Sequence, residues 1–161
     1  MCETADMYQT GHLVVGRVCY VRFKRRVTWF DAHSQCQQVP PGGLSAGKLA
    51  HVNSKTLISH VCGMDKRDNK YWIGAKQLDP KVEPAGNWNW VGGTRPIKFT
   101  QSELYLFNQY PEKDGQPDDQ NNGAAWDPIH EDCAEVDCWT RKLYDSDCKS
   151  PWSRFFCEYR M

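Results

Sequence analysis

The chain lacks the features that would assign it to a nucleic acid or to a bilayer. Lys plus Arg number 20 against 20 Asp plus Glu in 161 residues, so the formal net charge is zero. That balance, with no long basic run, argues against nucleic acid as a partner. No apolar run approaches the ~20 residues of a membrane span. There is no Asn-x-Ser/Thr sequon, no internal repeat and no low-complexity tract. The first residues, Met1-Cys2-Glu3-Thr4-Ala5-Asp6, have no apolar segment of the signal-peptide kind. None of the cysteines forms a Cys-x-x-Cys pair, which gives little support to a zinc ribbon or a thioredoxin-like redox site.

What is present points to a packed, oxidised domain. Hydrophobic residues make up 40% and aromatics 12%, with seven Trp, enough for one core and too much for disorder. Eight cysteines, Cys2, Cys19, Cys36, Cys62, Cys133, Cys138, Cys148 and Cys157, read as a disulfide framework formed in an oxidising compartment. Secretion is therefore expected, with Met1 standing where a leader has been removed. Arithmetic alone leaves the connectivity open.

Residues 1–15 are polar and read as an N-terminal extension, followed by one domain over 16–161. Val18 to Phe23 alternates like a strand. Thr28 caps a helix carrying Trp29, Ala32 and Cys36 on one face and ending near Gln38. Ser54 caps a second helix through Leu57, Ile58, Val61 and Cys62, closed by Gly63. Tyr71 to Gly74 and Asn87 to Val91 read as strands, as do Cys133 to Val136, Lys142 to Asp145 and Phe155 to Tyr159. Between them, after Gly92-Gly93, run roughly forty residues with little periodicity, rich in Pro, Gly, Asn, Asp and Gln. So long an irregular stretch in a compact domain is functional or misassigned.

Six segments, in this order, resemble the C-type lectin-like family: Trp72-Ile73-Gly74, Gly86 to Trp90, Gln116-Pro117-Asp118, Glu131-Asp132-Cys133, Asp145 to Cys148 and Phe156-Cys157-Glu158. The likeness covers about residues 16 to 159 and is closest to the secreted, invertebrate-style galactose-type domains. It implies an α+β fold, with two helices flanking small antiparallel sheets, a long ligand-binding loop and disulfide staples. It implies bridges from Cys36 to Cys157 and from Cys133 to Cys148, with Cys2 to Cys19 tying an N-terminal hairpin. Cys62 and Cys138 become neighbours if each ends its element as the topology suggests; free thiols or a bridge to a second chain are the alternatives.

The resemblance also implies a calcium site. Calcium takes about 6–8 oxygen ligands. Gln116, Asp118, Glu131 and Asp145 offer one amide and three carboxylates at the family positions. A cis peptide before Pro117 would aim Gln116 and Asp118 at one point. Vicinal sugar hydroxyls then complete the shell, and each accepts from an amide and donates to a carboxylate. In the family, amide-then-acid order goes with galactose and N-acetylgalactosamine, and the reverse Glu-Pro-Asn order with mannose.

Two departures bear on this. Galactose-type sites stack an aromatic ring on the sugar, yet Asp119 to Gly123 contains none, leaving Trp126 as the candidate. Tyr144 stands where the family has an Asn that contacts both metal and sugar, and a neutral phenol is a poor calcium ligand. Asp119 or Asp147 are substitutes for the lost ligand, and Asp114 with Asp119 are loose candidates for a second calcium. Glu135 and Asp137 read as the outer face of a strand, with no role. His130 has neither a nucleophile nor an orienting group beside it in sequence, so catalysis is not expected. The reading is a calcium-dependent lectin for galactose-type glycans, with a homo-oligomer left open. Its rival is a calcium-independent lectin-like domain for a protein, ice or mineral ligand.

Overall fold

The computed structural model describes residues 9–38, 47–64, 69–78, 88–111 and 133–161. Among them lie nine strands and three helices: β1 (Gln9–Val15), β2 (Val18–Val27), α1 (Trp29–Gln37), β3 (Lys48–Leu49), α2 (Lys55–Cys62), β4 (Lys70–Gln77), β5 (Trp88–Trp90), β6 (Ile97–Lys98), α3 (Gln101–Leu104), β7 (Cys133–Asp137), β8 (Lys142–Ser146) and β9 (Ser153–Arg160).

Both expected helices are present, and their caps explain their starts. The Thr28 hydroxyl accepts from the Asp31 amide at 3.2 Å and the Ser54 hydroxyl from the Leu57 amide at 3.1 Å. Each satisfies an amide that the first turn leaves without a partner. Trp29, Ala32 and Cys36 form the buried stripe of α1; Ile58, Val61 and Cys62 form that of α2.

The strands join in the order β1-β2-β9-β4-β5-β6, with β3 on β9 and β7 between β4 and β8. Neighbouring strands run antiparallel except β4 beside β9, where Tyr71 pairs with Arg154 and Trp72 with Phe155. The polar extension is more structured than its composition suggests. Residues Gln9–Val15 pair with β2 in a hairpin, and Gly16 turns it with φ +61°. That conformation strains any residue with a Cβ.

Period-two alternation divides the core in two. On β4, β7 and β8, Tyr71, Ile73, Ala134, Val136 and Leu143 enter one apolar cluster, together with Trp88, Trp90, Phe99 and Phe107. Trp72 and Cys133 enter the other, with Trp29, Leu49, Cys148 and Phe155. The sheet is covered on both faces, so its strands read as near-continuous apolar runs. The Trp29 indole donates to the Ile73 carbonyl at 3.0 Å and that of Trp72 to the Val27 carbonyl at 2.8 Å. Gly74 is a packing requirement: a Cβ there would lie 2.6 Å from the Leu49 carbonyl oxygen.

Cys36 bonds Cys157, Cys133 bonds Cys148, and Cys62 bonds Cys138. The neighbour relation inferred for the last pair is therefore present. Cys19 is also in a disulfide; its expected partner, Cys2, lies outside the described residues.

The irregular stretch after Gly92 is structured at its start. Ile97–Lys98 pairs with β5, and Thr100 opens α3. The capping box is complete: the Thr100 hydroxyl accepts from the Glu103 amide and the Glu103 carboxylate from the Thr100 amide.

Candidate functional site

Asp145 is the one expected calcium ligand among the described residues. It lies on β8 opposite Ala134 of β7 and is 5% exposed. Along β8 the buried positions are Leu143 and Asp145, while Lys142, Tyr144 and Ser146 are half-buried. Successive strand residues point to opposite faces. Tyr144 and Asp145 are therefore on opposite faces of β8, and the structure does not bring their side chains together. Tyr144 pairs across the ladder with Glu135, and the Lys70 ammonium sits 5.7 Å from its ring centroid. Asp147 is occupied as a turn residue, its carboxylate accepting from the Lys149 amide at 3.0 Å.

Gln116, Asp118, Trp126 and Glu131 lie outside the described residues, as do Pro117, Asp114, Asp119 and His130. Among the described residues there is no cluster of three or more His, Cys, Asp or Glu that could hold a metal. The donor set still fits calcium by its chemistry, because an amide oxygen and three carboxylates are the hard oxygens that this ion takes. Of that set the described structure places Asp145 alone. Glu131 is two residues before β7, which is tied to the Cys148 turn by its first residue, Cys133.

Glu135 is a correction to the sequence reading. It is 4% exposed, not solvated on an outer face. The Ser153 hydroxyl donates to it at 2.5 Å and the Lys70 ammonium lies 3.6 Å away. Burial pushes its carboxyl above the usual range, against the pull of Ser153 and Lys70. Alternation showed which residues share its face but not that the face is covered.

A second buried acid, Glu158, accepts from the His51 amide at 2.6 Å, and burial likewise pushes its carboxyl up. The His51 ring is bonded through Nε2 to the Val91 carbonyl at 2.8 Å. Its pKa is pushed down to about 4, chiefly by burial.

No family model matches the chain. Regenerating islet-derived protein 3-beta of Mus musculus is 35% identical over 85 residues, which is 50% of this chain and 46% of that protein. The chain thus matches about half the length of that relative. A C-type lectin of Cerberus rynchops is 25% identical over 144 residues, covering 89% of this chain and 78% of that one. Among solved structures, the mouse scavenger receptor C-type lectin carbohydrate-recognition domain superposes with a TM-score of 0.64 at 20% identity. That superposition covers 92% of this chain and 95% of that domain. The backbone likeness over nearly the whole length defines the class: the chain has the C-type lectin-like fold.

Proposed function

We propose that the chain is a secreted, non-catalytic lectin domain that binds galactose- or N-acetylgalactosamine-type glycans through one calcium ion. Gln116, Asp118, Glu131 and Asp145 would hold the ion, and bound calcium would supply open coordination positions for two vicinal sugar hydroxyls. The observation that carries the reading is the order Gln116-Pro117-Asp118, with Glu131 and Asp145 downstream, on a C-type lectin-like frame. Trp126 is proposed as the ring under the sugar; Tyr144, expected as a contact at the position the family gives to Asn, lies on the opposite face of β8 from Asp145 and is not carried into this site. Three disulfides among the described residues support an oxidising, extracellular setting.

Calorimetric titration of calcium into metal-free protein tests the site. One principal binding event is expected, and Asp118→Ala should abolish it with the fold intact; unchanged affinity in that variant removes the site. On a glycan array, galactose-type ligands should exceed mannose, and a mannose-dominated array contradicts the reading. The double change Gln116→Glu with Asp118→Asn should move the preference only in part, because Trp126 is untouched.

One observation favours the rival, calcium-independent domain with a protein, ice or mineral ligand: Tyr144 faces Lys70 and Glu135, on the side of β8 away from Asp145. Titrating calcium and sugar into Tyr144→Asn separates the roles. A tighter hold on both means that Tyr144 weakens the site; tighter calcium with lost sugar makes it a sugar platform. If neither moves, Tyr144 belongs to the other face alone.

A further inference from the structure

The face of the sheet that carries Tyr144 and Glu135 opens into a cleft of about 350 Å³. Three strand ends meet there. Arg26 comes from the end of β2, Asn69 and Lys70 from the start of β4, and Arg154 from the start of β9. Trp152, just before β9, forms one wall and is 72% exposed. Such an exposed indole beside polar groups is an amphipathic platform.

Among the described residues lining the cleft the charges do not cancel. Glu135 is engaged by Ser153 and Lys70. The Arg154 guanidinium donates to the Asn69 amide oxygen at 2.5 Å, a neutral partner, and among the described residues no carboxylate pairs with it. Arg26 is exposed at the rim. Among the described residues that line the cleft, three cations thus meet one acid, and that acid is already held. Guanidinium groups match carboxylate and sulfate oxygens with paired donors.

We propose that this cleft is a second, calcium-independent binding site for an anionic saccharide. Arg26 and Arg154 take its sulfate or carboxylate, and Trp152 stacks on the sugar ring. Lys70, Glu135 and Tyr144 share the face of the cleft, while Asp145 is on the opposite one, so this site is separate from the proposed calcium site. The requirement for an anion rests on the cleft alone; the choice of a sugar to carry it rests on the proposed function.

Galactose 6-sulfate, galactose and inorganic sulfate, titrated into the whole chain with and without EDTA, test the proposal. In EDTA the sulfated sugar should bind at least about ten-fold tighter than galactose, and rising salt should weaken it. Arg26→Gln should weaken it about ten-fold. Trp152→Ala should weaken the sulfated sugar and leave inorganic sulfate unchanged. Both side chains are exposed, so both variants should fold. Calcium-dependent galactose binding should survive both changes, whereas Asp118→Ala removes it and spares the sulfated sugar. Sulfated sugar that binds only with calcium, or no tighter than galactose, overturns the proposal. So does insensitivity to Arg26→Gln. Inorganic sulfate binding as tightly as the sulfated sugar, with Trp152→Ala silent, overturns the saccharide assignment.

Discussion

At the scale of single residues, Gly74 and His51 show how tightly the β3–β4 region is specified. A Cβ on Gly74 meets the Leu49 carbonyl oxygen at 2.6 Å and the His51 ring at 2.8 Å. Backbone cannot move aside as a flexible side chain can. Gly74→Ala should therefore cost about 1–3 kcal/mol, the usual range for overpacking, as a lower urea midpoint at unchanged m-value. His51 supplies a pH dependence. Its pKa falls from an ordinary 6.5 to about 4 in the fold, because burial disfavours the charged ring. Between those values the unfolded chain binds the proton and the folded chain does not. Stability is therefore lost as pH falls from 6.5 to 4, by about 3 kcal/mol at most. Glu135 and Glu158 act in the opposite sense. Their carboxyls are raised in the fold, so they favour the folded state as pH falls toward 4.5. Comparing the variant with the parent isolates the histidine: His51→Gln should flatten the acid limb of a stability–pH curve, and parallel curves would contradict the assignment.

At the scale of elements, the short helix α3 depends on its cap. Four residues make too few internal hydrogen bonds to hold a helix alone. The reciprocal Thr100–Glu103 bonds satisfy two amides at its start. The chain leaving it places Leu106 and Phe107 in the core, where the Leu143 amide donates to the Leu106 carbonyl at 2.9 Å. Thr100→Ala should cost about 1 kcal/mol, measured by thermal unfolding. Amide exchange should rise first at Leu104 and Phe107, whose amides bond back into this turn.

At the scale of the whole molecule, the disulfides tie distant elements. Cys36–Cys157 joins α1 to β9 across 121 residues, and Cys133–Cys148 closes only 15. In the chain-entropy account, the first stabilises by about 4–5 kcal/mol and the second by about 3 kcal/mol. Replacing each pair with Ser should therefore lower the melting temperature more for Cys36–Cys157. Peptide mapping without reduction should recover the three bridges between described residues and a further one at Cys19, and a Cys133–Cys138 peptide would contradict the register of β7 and β8.

The sequence by itself determined what depends on neighbours along the chain. Thr28 and Ser54 announced their helices because a cap is a local bond. The Thr100-x-x-Glu103 pair is equally local, but its polar surroundings read as loop and α3 is not assigned from the sequence. Lys142 to Asp145 read as a strand, yet the family resemblance set Tyr144 and Asp145 side by side in one site; the burial of alternate residues on β8 puts them on opposite faces. Tertiary structure alone decided what covers each face. Glu135 looks solvated beside Ala134 and Val136, yet Ser153 of β9 and Lys70 of β4 close over it. Gln9–Val15 looks like a tail until β2 supplies its hydrogen-bond partners. Arg26, Lys70 and Arg154 are far apart in sequence and meet because β2, β4 and β9 end together. Spacing along a chain records which side chains share a face; only the packing of distant strands determines whether that face meets water, a carboxylate or a cation.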